Sequence, residues 1–167
     1  MVGKANFTPD EWGKILEAPM IAGIAVSAAE PTGLFGMLKE SMASAKELLE
    51  AKANPSVDEL IKAVVTDFET SEGRSAARDG LKSLFAGGQP AEIKAKAIEA
   101  LRQLSPLLDA KAPADSVAFK TWLRHIAQSV AEASKSGFLG FGGAAVSEAE
   151  KATIAEISTA LNLPAAT

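Results

Sequence analysis

Gly137–Glu150, GFLGFGGAAVSEAE, joins two stretches of helical spacing through a glycine-rich loop that carries large apolar side chains. Gly137 suits the left-handed position just past a helix end, where a side chain would clash with the backbone. Ser147 and Glu150 have the S-x-x-E spacing of a capping box: the serine oxygen accepts from the amide three residues on, and the glutamate reaches back to the cap amide. The spacing predicts that one helix stops near Ser136 and another starts near Glu148. Phe138, Leu139 and Phe141 lie between them, set among Gly140, Gly142 and Gly143, and no charge occurs from Ser136 to Ser147. Two readings follow: an apolar connector that plugs a core, or a docking surface for a partner or an apolar ligand.

Two phosphate-loop patterns in this stretch fail on chemistry. Gly137 and Gly142 have the outer spacing of a Walker A loop, but Gly143 and Ala144 stand where the lysine and the hydroxyl residue are needed. Gly140, Gly142 and Ala145 fit a loose dinucleotide fingerprint, which requires a preceding strand, whereas a helical pattern precedes it here.

Helical grammar extends outward from the loop. Upstream, Asp115 or Ser116 is the expected cap of a helix with Phe119, Leu123, Ile126 and Val130 on its buried stripe and Trp122 beside it. Downstream, Ile154, Ile157 and Leu161 point inward, and fraying is expected at Asn162-Leu163-Pro164. At the other end of the chain, Thr8, Pro9 and Glu11 form a strong helix start. Pro19 is expected to kink or break that helix, because a proline disfavours helix at the residue before it. Met20–Ala29, MIAGIAVSAA, is uncharged all round and reads as a helix buried on most sides, with Gly23 suited to a close crossing.

Leu34–Ala53 has helical spacing, and Ser56 with Glu59 repeats the capping-box pattern before Leu60, Ile61, Val64, Val65 and Phe68. Thr70–Ser75 is polar, contains Gly73 and reads as a loop or frayed end. A short segment with Ala77, Leu81, Leu84 and Phe85 ends at Gly87-Gly88. Gln89-Pro90 opens a helix with Ile93, Ala97, Ile98, Leu101 and Leu104 in a stripe, and Pro106 and Pro113 are expected to bracket a loose connector. A faint internal echo relates Ile21-Ala22 and Val26, followed by Gly33–Gly36, to Ile126-Ala127 and Val130, followed by Gly137–Gly140. It places Leu34 and Phe35 in the same setting as Phe138 and Leu139.

Composition agrees with an all-α fold. The 167 residues suffice for one domain, are 47% hydrophobic and only 5% aromatic, and include about one alanine in five. Alanine is the best helix former and a poor strand former. The expectation is a single domain over 1–167, a compact bundle of six or seven helices, with 1–7 and 164–167 as frayed tails.

The net charge of −4 and the interspersed signs give no basic face, which argues against nucleic-acid binding. The absence of cysteine excludes disulfides and thiolate chemistry. The longest uncharged runs, Ala18–Ala29 and Ser136–Ser147, are 12 residues each, too short to span a bilayer. With no signal-peptide core at the start, a cytoplasmic location is expected.

Catalytic candidates are few. His125 is the only histidine, and its helical neighbours Thr121, Trp122, Gln128 and Ser129 include no acid to orient it. Asp67, Glu69 and Glu72 offer carboxylates for a hard cation near a helix end, but read equally well as solvated face charges. Asp10 and Glu11 suit the positive end of a helix. Trp12 and Trp122 read as core or staple residues.

Val130–Leu163 resembles the tellurite-resistance-type (TerB-like) family of small bacterial helical domains. The likeness lies in Ala131, Ala133, Val146-Ser147, Glu150, Ile154, Ile157, Leu161 and Leu163. It implies a compact helical bundle tied to stress responses, with acidic residues in an inter-helix turn that bind metal. Phe141-Gly142 stands where that turn has an acid followed by glycine, so the metal ligand does not carry over. Phe7–Glu40 also resembles bacterial proteins of uncharacterised function.

These features predict no enzyme and no cofactor, but an interaction or scaffold module in bacterial stress physiology or a macromolecular assembly. A protein partner or self-association is expected, with Phe138, Leu139, Phe141, Leu34 and Phe35 as the contacting residues. One alternative is a carrier holding an apolar small molecule or lipid in a cavity lined by Ile21, Ile24, Val26 and Phe141. Another is a TerB-like metal-responsive stress protein.

Overall fold

The computed structural model describes residues 2–29, 45–54, 56–135 and 146–164. Its α-helices are α1 (Pro9–Ser27), α2 (helical over 45–53), α3 (Glu59–Phe68), α4 (Ser71–Phe85), α5 (Pro90–Lys111), α6 (Pro113–Lys135) and α7 (Glu148–Ala160). No strand occurs among the described residues, and the all-α bundle expected from the sequence is what the chain forms.

The bundle is built around α1. Helices α4, α5, α6 and α7 all pack against it, with α5 and α6 making the most extensive interfaces. Its start is fixed locally. Thr8 Oγ1 accepts from Glu11 N at 3.3 Å, while Glu11 Oε2 accepts from Thr8 N at 2.8 Å. Phe7 precedes the cap and meets Trp12 one turn in, with ring centroids 5.9 Å apart, a hydrophobic staple that sets the entry angle of the chain. The expected frayed start is therefore packed: Lys4–Asn6 make a 3-10 turn, and Phe7 is buried.

Pro19 does not break α1, which runs through it to Ser27. Proline inside a helix removes one hydrogen bond and costs about 3 kcal/mol. Ile15, Leu16, Ile21, Ala22, Ala25 and Val26 are all buried on either side, and that packing overrides the local penalty. Pro106 likewise lies inside α5 rather than at the edge of a connector. The link from α5 to α6 is the single residue Ala112, which is fully buried. Pro113 forces Ala112 out of helical geometry (φ −137°, ψ 51°) and then opens α6 at its first position.

That corner is stitched by polar groups. Asp109 Oδ1 accepts from Ser116 Oγ at 2.5 Å and from Lys120 Nζ at 2.7 Å. These two donors hold the Asp109 carboxyl below the usual carboxylate range, Lys120 more than Ser116. Asp115 and Ser116, expected as the cap of α6, sit inside its first turn, and Asp115 Oδ1 instead accepts from Leu60 N at 3.4 Å.

Three further boundaries differ from the sequence reading. Helix α3 is capped at Asp58, without a side-chain bond, rather than at Ser56. The segment expected to be a loop at Thr70–Ser75 is the first turn of α4. Thr70 Oγ1 accepts from Gly73 N at 2.9 Å and donates to Asp67 O at 2.8 Å. Arg74 Nη1 donates to the Phe68 and Glu69 carbonyls, so the end of α3 and the start of α4 satisfy each other.

Helix α7 does not fray. Asn162 adopts the left-handed conformation (φ 55°), with Leu163 N donating to Ser158 O at 2.8 Å and Asn162 N to Thr159 O at 3.1 Å, a Schellman closure. Arg124 Nη1 then holds the Pro164 carbonyl at 2.9 Å.

The expected stripes of α5, α6 and α7 face the core: Leu101, Leu104, Phe119, Leu123, Ile126, Val130, Ile157 and Leu161 are almost wholly buried. Ile21, Ala22 and Val26 of the internal echo are buried, as are Ile126, Ala127 and Val130. Its glycine-bounded pairs lie outside the described residues.

Candidate functional site

Phe138, Leu139, Phe141, Leu34 and Phe35, the contact residues expected from the sequence, lie outside the described residues. Of the lining expected for an apolar cavity, Ile21 and Val26 are buried in the core, Ile24 is half-buried, and Phe141 again lies outside.

A different surface emerges from the packing of α1. Helices α4 and α5 both lie along α1 but touch each other only sparsely, which leaves a slot over α1 between them. This groove holds ≈ 430 Å³. Helix α1 supplies Lys14, Glu17, Ala18 and Ile21, at the i, i+3, i+4, i+7 spacing of one helix face. Leu84 comes from α4, and α5 contributes Ala95, Lys96, Glu99, Ala100, Leu101, Gln103 and Leu104. Ala18, Ile21, Leu101 and Leu104 form a buried apolar floor, and the charged residues stand at its edges.

Those charges are not equivalent. Glu99 is committed to its own helix, paired with Arg102 and accepting from Gln103 Nε2 at 3.1 Å. Lys14 and Lys96 are both exposed. Glu17 is half-buried and accepts no hydrogen bond among the described residues. Burial raises its pKa above the ordinary carboxylate value, and the Lys14 ammonium offsets part of that rise. Its carboxylate lies against Gly80 of α4, so close that a Cβ at Gly80 would overlap it. What the glycine permits at that point is the close approach of the Glu17 side-chain end, not an unusual backbone angle.

A second hollow, of ≈ 480 Å³, lies at the start of α1, lined by Trp12 and by residues of α3 including Asp67. Here the polar groups are already matched. Asp67 Oδ2 accepts from Trp12 Nε1 at 2.7 Å and pairs with Lys4 Nζ at 3.1 Å. Glu69 pairs with Lys52. Asp67, Glu69 and Glu72, the carboxylates that offered a cation site, are not brought together as one. No group of three or more His, Asp or Glu side chains placed to hold a metal occurs among the described residues.

His125 does have an acidic neighbour, one that its own helix could not reveal. Glu47 of α2 is buried, its Oε2 standing 3.3 Å from His125 Nε2. Its Oε1 accepts from Ser129 Oγ at 2.5 Å. The carboxylate thus sits between the two, and Ser129 donates to Glu47 rather than to the imidazole. That order is the reverse of a nucleophile–histidine–acid relay, and its evident effect is to clip α2 onto α6. Trp122 packs edge-on against Phe119 at 5.5 Å, and its indole N–H is buried with no hydrogen-bond partner among the described residues.

Comparison with known proteins finds no matching family model, no matching curated protein and no matching solved structure. No described helix is long and apolar enough to cross a membrane. Sequence reasoning missed the groove because its polar centre, Glu17, is an ordinary glutamate in an amphipathic turn. The one local hint was Gly80, an otherwise unfavourable residue in the middle of a helix.

Proposed function

We propose that this chain is a non-catalytic interaction module that seats an apolar segment of a protein partner in the α1–α4–α5 groove. The observation that carries the reading is the groove itself, whose accessible apolar lining is Leu84, Ala95 and Ala100, set over the buried side chains of Ala18, Ile21, Leu101 and Leu104 and bounded by charged residues. An apolar floor inside a polar rim is the usual anatomy of a protein-docking surface. The slot between two helices lying on a third also suits helix-in-groove recognition. The resemblance of Val130–Leu163 to the TerB-like family suggests bacterial stress physiology as the setting.

A photoreactive residue at Ala100, in the groove, compared with one at exposed Ala152 on α7 tests the reading in cells. The expected result is a discrete protein adduct from position 100 only. The purified partner should then lose binding to Ala100→Arg but not to Ala152→Arg. Adducts of lipid size at position 100 would favour the carrier of an apolar small molecule instead. Equal protein labelling from both positions would remove the groove from the account.

A further inference from the structure

We infer that α2 is a strap latched to α6 by Glu47, and that the α6 face taking the latch is a receptor for the carboxylate of an acidic peptide segment, whose place Glu47 holds in the closed chain. This inference is independent of the groove. A surface helix ordinarily fixes itself by an apolar stripe. In α2 that stripe is reduced to Ala51 and a half-buried Leu48, while Leu49 stands 66% exposed. The largest side chain that α2 buries is Glu47. Its Oε1 accepts from Ser129 Oγ at 2.5 Å, and its Oε2 stands 3.3 Å from His125 Nε2. A second tie, Lys52 to Glu69, joins exposed side chains and adds little. A helix this short does not hold itself without packing, so loss of the latch frees α2 before the core opens.

The face that takes the latch offers more than Glu47 uses. Trp122, His125 and Ser129 follow at i, i+3 and i+7, along one side of α6. Glu47 meets the last two. The Trp122 indole N–H has no partner among the described residues, although the residue is only 9% exposed. Buried donors are almost always paired. An incoming group with a carboxylate for His125 and Ser129, and a carbonyl about one turn away for Trp122, completes what α2 leaves open. An acidic residue in a peptide carries both, a side-chain carboxylate and backbone carbonyls. The other charges on α2 and α6 nearby are already engaged. Arg124 Nη1 is turned to the Pro164 carbonyl, Glu132 accepts from Gln128, and Lys46 pairs with Glu50.

The test follows amide hydrogen exchange of the full chain together with NMR of the imidazole and the indole N–H. In the wild type, α2 amides should exchange through an opening at least about 100-fold more populated than the one that exposes the core of α5. Glu47→Ala should speed α2 exchange about ten-fold or more and leave α5 unchanged. Ser129→Ala should act in the same direction more weakly. Glu47→Ala removes the atoms of an acetate ion, so acetate is the first probe. It should shift the His125 imidazole of that variant and slow α2 exchange again, while acetamide, of the same size, does neither. N-acetyl-glutamate amide, which adds carbonyls, should also shift the Trp122 indole N–H and bind more tightly than acetate. The wild type should resist both at the same concentration, because its tethered Glu47 competes locally. Exchange of α2 only together with α5 would overturn the strap. Acetate and acetamide acting alike, or an indole N–H unmoved by N-acetyl-glutamate amide, would overturn the carboxylate receptor.

Discussion

Gly73 and Gly80 lie two turns apart on α4, and at both the helix closes on a residue that carries a carboxylate, Asp67 at one end and Glu17 at the other. The neighbours they meet differ. A Cβ at Gly73 would strike the Asp67 backbone carbonyl, which the α3–α4 corner fixes in place. A Cβ at Gly80 would strike only the far end of the Glu17 side chain, which is free to rotate. The two carboxylates differ in the same sense. Asp67 is engaged by Trp12 and Lys4, while Glu17 has no donor among the described residues. The comparison separates a half-buried acid that completes the fold from one that no described donor engages.

Gly73→Ala should show the largest effect, because over-packing against fixed backbone has no cheap escape. A loss of about 3 kcal/mol is expected, read as a lower urea midpoint with an unchanged slope. A midpoint like that of the wild type would mean that the corner is softer than its hydrogen bonds imply.

Asp67→Ala comes next. It strips the acceptor from a buried indole N–H, and unfolding should be easier by about 2 kcal/mol. If Asp67→Ala proved harmless, the contrast with Glu17 would collapse.

Gly80→Ala should change stability by no more than about 1 kcal/mol in either direction. The better helix propensity of alanine offsets the cost of moving the Glu17 carboxylate. A loss as large as that at Gly73 would show that the carboxylate is locked in place.

Glu17→Gln should have the smallest effect at low pH and a growing one above it. The folded-state pKa of Glu17 is raised, so its favourable contribution is complete below the ordinary value of 4.5 and is lost as pH rises through the folded value. Glutamine does not titrate, and the variant should therefore gain stability relative to the wild type as pH increases through that window. Thermal unfolding of both proteins across the range reads the difference, and parallel curves would contradict it.

The parts of this fold legible in the sequence were those decided within one turn. The boxes at Thr8–Glu11 and Ser147–Glu150 form as their spacing requires. Gly87 closes α4 in the left-handed conformation before Gln89-Pro90 opens α5. Expectations failed where a tertiary contact outweighed a local preference. Pro19 and Pro106 stay inside helices that are packed along their length, whereas the start of α4 turns on a local signal, the Thr70 cap three residues before Gly73. Lys120 is buried because Asp109, eleven residues away across a helix corner, meets it. Local sequence gives no sign of that pair, or of Glu47 beside His125. The groove was illegible for the same reason, since it exists only where α4 and α5 diverge over α1.

The availability of Glu17 is tested most directly by following its side-chain carboxyl through a pH titration of the full chain by carbon-13 NMR. A half-buried acid with no hydrogen-bond donor should titrate above 4.5. A midpoint below that value would mean that a donor already holds the carboxylate, and Glu17 would then join Asp67 as part of the fold rather than part of the groove.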